Sequence, residues 1–295
     1  MSDYKELKEI KSKIEEGFLA YCYKIFKVSK PEVSLVNGMR IKTASMNKAG
    51  VAKFAKQIKD WEEEIKKYRD EFAPLFLLDN FDEDDDDCYE YEDVKEELLA
   101  KRLWTISSAL ASKDKALEKY KTAFWGTAPR QLFTTIKIIL SQTNNYMYDY
   151  APLIKLNSVN KIEQLKYDFL IAEDMLLTGV IGLGIRSEIL HRLFPSHFPI
   201  MTRKSLWGMH YLTAGEDEFI TDEFYENMQR TEHNWNYDYP RFAFYNLFLS
   251  KLLESFFKEF NISFNNQLRF GYANLFLNEI STIHNDDIRI LTEWK

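Results

Sequence analysis

Two glycines one residue apart, Gly182 and Gly184, stand between two runs of helical character in V-I-G-L-G-I-R-S-E-I-L, residues 180–190. Glycine adopts backbone dihedrals that other residues resist, so a tight turn is expected there. The N–H groups opening the second run carry a partial positive charge and suit an anion such as phosphate. Arg186 and Ser187 follow in the first turn of that run, and Arg203 and Lys204 lie near the start of the next. A phosphate-bearing surface would therefore draw on Gly182, Gly184, Ile185, Arg186, Ser187, Arg203 and Lys204. The competing reading is structural: the glycines cap a helix and admit close packing, and the cations form a solvated rim.

Other chemistry finds little support in the residues. A dinucleotide loop needs a preceding strand and a third spaced glycine, whereas 172–178, A-E-D-M-L-L-T, reads as helix. No G-x-x-x-x-G-K-[ST] loop, Gly-x-Ser-x-Gly elbow or His-Glu-x-x-His helix occurs. His191, His197 and His210 match no metal-ligand spacing, so neither a metal nor another cofactor is expected. They read instead as two partly exposed side chains, His191 and His197, and one, His210, tucked against a helix. Glu188 sits four residues before Arg192, the spacing of an ordinary helical ion pair. Trp207, and Trp235 with Tyr237 and Tyr239, could stack on bases, although aromatics at helical spacing more often form core.

The 175–212 region resembles the hairpin of the helix-hairpin-helix DNA glycosylase superfamily. There an apolar-Pro-Gly-apolar-Gly turn binds DNA phosphates, and an apolar segment about twenty residues on delivers a catalytic aspartate. In this chain Ile181 stands at the proline, Gly182 and Gly184 at the glycines, and Arg186 where lyase-competent members carry lysine. Phe198, Pro199, Ile200 and Met201 resemble the apolar lead-in, but Thr202 follows in place of aspartate. Threonine has no carboxylate to stabilise an oxocarbenium-like centre or activate water. The resemblance therefore implies nucleic-acid binding, to DNA or RNA, without glycosylase catalysis. The alternatives are a helical protein-interaction or self-associating protein, and a nucleic-acid-processing enzyme whose acid is supplied from elsewhere, Glu188 or Asp174 being the nearest carboxylates.

The elements that must position these residues are helical. The 295 residues are 45% hydrophobic and 15% aromatic, with 10 Gly and 7 Pro, enough for a large core and few breaks. Apolar residues at three- and four-residue spacing predict helices over 5–27, 48–71, 94–111, 113–124, 131–143, 162–177, 185–194 and 205–212, and from Phe242 onward. Asn37-Gly38 between 33–36 and 39–42 predicts one short β-hairpin. The expected class is a mainly α, multi-helix globular protein. Gly126 to Pro129 suggests a boundary between an N-terminal region, 1–125, and a C-terminal domain, 126–295, that carries the hairpin at 177–194.

Net charge is −7, but its distribution is uneven. Residues 79–97 hold 12 acids against one lysine, a local charge of −11 that leaves the rest of the chain at +4. The acidic loop at 79–93 is expected to be exposed and mobile and to screen the basic surface from nucleic acid. It lacks the central glycine of a calcium loop. Cys22 and Cys88 form no disulfide or zinc pattern, no uncharged run is long enough to span a bilayer, and the first residues are charged. The expectation is a cytoplasmic protein without a membrane segment.

Overall fold

A computed structural model describes residues 2–36, 39–83, 88–171, 177–215 and 238–293. Among these the main elements in chain order are α1 (Ser2–Ile25), β1 (Ser29–Val36), β2 (Met39–Ser45), α2 (Lys48–Phe72), α3 (Trp104–Ala111), α4 (Glu118–Gly126), α5 (Pro129–Asp149), α6 (Leu183–Leu193), α7 (Arg203–Leu212), α8 (Tyr239–Glu259), α9 (Arg269–Ile283) and α10 (Asn285–Glu293). The chain is mainly helical, as its periodicity predicts. β1 and β2 pair antiparallel and end on Val36 opposite Met39, the register that a two-residue connection imposes. The Asn37-Gly38 turn itself lies outside the described residues.

The chain forms two compact units, and neither is a continuous segment. Unit 1 comprises the described residues within Met1–Ile65, Lys204–Asn236 and Phe248–Lys295; unit 2 comprises those within Lys66–Arg203 and Tyr237–Leu247. The division therefore does not fall at Gly126 to Pro129, where the chain passes from α4 to α5 inside unit 2. Local composition marks a loop there, whereas the units are set by contacts between segments far apart in sequence.

Unit 1 is built on aromatic burial. Ile10, Ile14, Phe18, Tyr21, Cys22 and Ile25 repeat along one face of α1 and are all buried. The Phe26 ring lies 4.5 Å from Phe54, 5.6 Å from Trp61 and 5.7 Å from Phe256, centroid to centroid. Each such side chain removed from water is worth about 1.5–3 kcal/mol. Two glycines let helices approach closely: a Cβ on Gly17 would stand 1.9 Å from the Leu212 carbonyl oxygen, and one on Gly208 2.3 Å from that of Leu277.

Unit 2 departs from the periodicity in three places. The helix predicted over 94–111 is interrupted: 94–99 winds as a π-helix, and Leu103 is extended (φ −84°, ψ 108°) before α3 begins. The helix predicted over 162–177 is replaced, among described residues, by 3₁₀ turns at Ile162–Leu165 and Asp168–Ile171. Lys166 adopts left-handed dihedrals (φ 57°). The carbonyls of Leu165 and Leu170 accept from the side chains of Tyr146 and Arg186, so local backbone pairing gives way to side-chain pairing.

The acidic stretch is also less free than its charge suggests. Asp79–Phe81 is a 3₁₀ turn whose Phe81 is fully buried, with its ring against Phe76, Tyr89 and Phe133. One apolar residue thus fixes the start of a segment that charge repulsion alone would leave loose. Residues 84–87 lie outside the described residues.

The close approach at Gly208 makes a testable demand. Gly208→Ala is expected to cost about 2 kcal/mol or more and to lower the thermal midpoint, because the opposing atom is backbone and cannot swing aside. Gly126→Ala, whose Cβ would meet nothing within 4 Å, is the control and should melt at or above the native midpoint. Equal midpoints for Gly208→Ala and the native chain, measured by circular dichroism, would show that the approach is not constraining.

Candidate nucleic-acid interface

The turn before α6 is tight. Leu177 and Ile181 form an isolated antiparallel bridge, and the amides of Val180 and Ile181 both donate to the Leu177 carbonyl at 2.9 and 2.8 Å. Closing it requires a left-handed residue, and that residue is Gly179 (φ +77°). Gly182 is extended (φ −96°, ψ −175°), a conformation open to any residue, and Gly184 lies inside α6. The special dihedrals expected of Gly182 and Gly184 therefore belong to a glycine three residues earlier than the first of them.

Helix α6 is buried on nearly every side, and its polar residues divide among three neighbours. Gly184, Ser187 and His191 share one face, and along it lies the segment Phe198 to Met201. Ser187 Oγ donates to the Gly184 carbonyl at 3.0 Å and accepts from the Met201 amide at 2.9 Å. His191 Nδ1 is 2.8 Å from the Phe198 carbonyl, and a Cβ on Gly184 would stand 3.4 Å from the Met201 carbonyl oxygen. Three tyrosines hold the same loop and its surroundings: Tyr167 donates to the His197 carbonyl, Tyr239 to that of Pro199 at 2.8 Å, and Tyr146 to that of Leu165 at 3.0 Å.

Glu188 and Arg192 serve a second neighbour. The fully buried Glu188 carboxylate accepts from the backbone amides of Trp104 at 3.1 Å and Thr105 at 2.8 Å, and so caps α3 from 84 residues away. It also pairs with Arg192 at 2.8 Å. The Arg192 guanidinium in turn lies 5.1 Å from the ring of Tyr68 and 5.4 Å from that of Phe72. The ion pair predicted from the i,i+4 spacing is present. Its larger task, supplying the acceptors that restart the helix after extended Leu103, is not legible in the sequence, because nothing local links residues 104 and 188.

Arg186 faces the third neighbour and is the main correction to the expected site. Its side chain is 1% exposed, its Nη1 donates to the Leu170 carbonyl, and its Nε has no hydrogen-bond partner among the described residues. Burial away from water lowers the guanidinium pKa to about 10. It is therefore an internal brace and not a phosphate-facing cation. Ser187 and Ile185 are buried as well. The reason is common to all three: α6 is packed around its circumference, so its first turn does not present side chains to solvent.

What remains open is the end of the helix. Gly182 is exposed and is the N-cap of α6; having no side chain it makes no cap bond itself, and the first turn carries no acid. A Cβ at Gly182 would meet nothing within 4 Å. Arg203, in the same unit, is exposed, and so is Lys204, which opens the part of α7 counted with unit 1. Thr202 is half-exposed and directly follows the segment held along α6.

Several other expected residues are placed elsewhere. His191 is buried rather than partly exposed, while His197 is half-exposed and His210 is buried against Trp207 as an edge-on ring. Trp207 and Tyr239 are core side chains, 1% and 0% exposed, and do not offer faces for stacking. Trp235, Tyr237 and Asp174 lie outside the described residues. No family model, curated protein or solved structure matches this chain.

The buried His191 gives a pH signature. Desolvation disfavours its charged form and, with a smaller push from Arg192, outweighs the Phe198 carbonyl that favours it, so its pKa falls from 6.5 to about 4. Between these values the unfolded chain takes up a proton that the folded chain refuses. Stability fully present above pH 6.5 is therefore lost as pH falls toward 4, by up to about 1.4 kcal/mol per pH unit. His191→Asn keeps a donor for Phe198 but cannot titrate, and is expected to flatten this part of the stability curve in urea titrations. Parallel curves for the two proteins would contradict the burial of a neutral ring.

Proposed function

We propose that this chain is a non-catalytic nucleic-acid-binding protein that takes phosphate at the amino end of α6, working in the cytoplasm with its two cysteines reduced. The observation that carries the reading is the amino end of α6, where the N-cap Gly182 is exposed and has no side chain to bond the first amides, and where the first turn holds no acid. Backbone amides aligned with the helix axis bind phosphate without any side-chain contribution, so the burial of Arg186 removes a cation but not the ligand set. Exposed Arg203 supplies positive charge in the same unit.

The resemblance to the helix-hairpin-helix glycosylases is part of this proposal, and two features favour it. The turn from Leu177 to Gly182 leads directly into a helix, and the segment after that helix returns to lie along it through Ser187 and His191. With Thr202 at the end of that segment there is no carboxylate for base excision, which is why the proposal stops at binding. A helical protein-interaction role is the second reading. It is favoured by large apolar side chains exposed in unit 2, among them Trp104 (55%) and Leu153 (78%).

Gly182→Asp separates the two. Extended dihedrals at Gly182 accept an aspartate, and at an N-cap its carboxylate bonds the same amides that phosphate would use. Fold stability should hold or rise by a few tenths of a kcal/mol, while binding to a short DNA duplex at low salt falls at least about tenfold. Unchanged DNA binding in the variant would remove the α6 site, and no binding by the native protein at low salt would remove the nucleic-acid reading. Concentration-dependent self-association in light scattering would then favour the second.

A further inference from the structure

The solvent face of α5 differs from the rest of this acidic chain. Arg130, Thr134, Lys137, Ser141, Asn145 and Tyr148 follow one another at spacings of four, three, four, four and three residues, which places them in a single stripe along the helix. Each is exposed or half-exposed, with Tyr148 at 85%. The stripe holds two cations and four hydrogen-bonding groups, and α5 has no acidic residue before Asp149. For a protein of net charge −7 with 46 acids, five turns of helix without one is a polyanion-compatible surface.

The carboxylates that do reach this stripe come from the acidic segment. Lys137 Nζ lies 3.5 Å from Asp82 Oδ1 and Arg130 Nη2 3.8 Å from Glu83 Oε1. They are delivered by geometry rather than by chance encounter. Phe81 is buried with its ring 5.3 Å from Phe133 of α5, so the residues after it must emerge beside the first turns of that helix. The Tyr91 hydroxyl donates to the Glu83 carboxylate, and the Arg130 guanidinium lies 5.8 Å from the Tyr91 ring. Arg130 and Lys137 are about 10 Å apart along the axis at a rise of about 1.5 Å per residue, and among the described residues each meets one carboxylate.

We propose that the α5 stripe is a second nucleic-acid contact surface, along which Arg130 and Lys137 take backbone phosphates, and that Asp82 and Glu83 occupy those two positions when no nucleic acid is bound. Exposed ion pairs of this kind are worth at most about 1 kcal/mol each, so a polyanion that offers many phosphates at once displaces them. The uncharged groups between and beyond the cations donate to phosphate and sugar oxygens, and the exposed Tyr148 ring offers a face to an unpaired base. The inference rests on the nucleic-acid reading above but uses a different surface of unit 2, so the two can fail separately.

Binding of a short labelled DNA duplex and of the matching single strand is compared, at about 50 mM salt and upward, for the native chain, Asp82→Asn/Glu83→Gln, Arg130→Gln/Lys137→Gln and Gly182→Asp. Removing the two carboxylates should tighten binding about fivefold or more at low salt, with the gain fading as salt rises. Removing the two cations should weaken it and lower the slope of log affinity against log salt by about two. Unchanged affinity in either double variant, with melting curves confirming the fold, overturns the α5 surface. The Gly182→Asp result reports on the α6 end alone: its failure to weaken binding while the two double variants shift affinity as described leaves the α5 surface standing.

Discussion

A helix buried around its circumference must satisfy every polar group it carries inside the protein, and α6 sets this constraint for unit 2. Its residues from Ile185 to His191 are all buried, and four of the seven carry polar groups: Arg186, Ser187, Glu188 and His191. Leaving any of these groups unmatched costs about 1–3 kcal/mol, more for a charge. Glu188 answers the constraint most fully, because its carboxylate meets two backbone amides and a guanidinium at once. It thereby fixes where α3 starts. Ser187 and His191 fix the Phe198 to Met201 segment in the same way, through backbone groups that have no helix or sheet of their own.

The functional reading follows from what this packing leaves over. The side chains of α6 from Ile185 to His191 are buried, so the flank of the helix offers them to no ligand. Its amino end differs: the N-cap is a glycine, which supplies no side-chain acceptor to the first amides, and the first turn holds no acid to meet the dipole. A site of this kind reads charge and shape rather than base sequence, in keeping with phosphate contacts that position a protein on nucleic acid without specifying where. The α5 stripe has the same character, with cations and neutral donors and no acid of its own.

Much of this was legible from residue order, and the limits have physical causes. The long amphipathic helices α1, α2, α5 and α8 follow the apolar spacing because each is buried along a stripe, which is what periodicity reports. The Asn37-Gly38 pair predicts the hairpin and the glycine-rich stretch predicts the turn before α6, whereas the packing of Phe198 to Met201 along α6 is seen only in the structure. Arg186 was misplaced because charge normally marks solvent, and only a helix enclosed on all sides draws a guanidinium inward. The left-handed residue is Gly179 rather than Gly182 because the turn closes on Leu177, which depends on backbone pairing and not on the glycine count. Glu188 could not be linked to Trp104, nor Asp82 to Lys137, since no local pattern encodes contacts 84 and 55 residues apart. The two discontinuous units likewise rest on contacts between segments far apart in sequence.

Amide and guanidinium NMR during titration with a short DNA duplex tests the central claim most directly. Phosphate binding at the amino end of α6 requires the backbone amides of Leu183, Gly184 and Ile185 to shift in a saturable, salt-sensitive way, while the buried Arg186 Nε–H resonance stays in place. Movement of the Arg186 resonance with static amides at 183–185, or saturable DNA binding with no response at either, would contradict it.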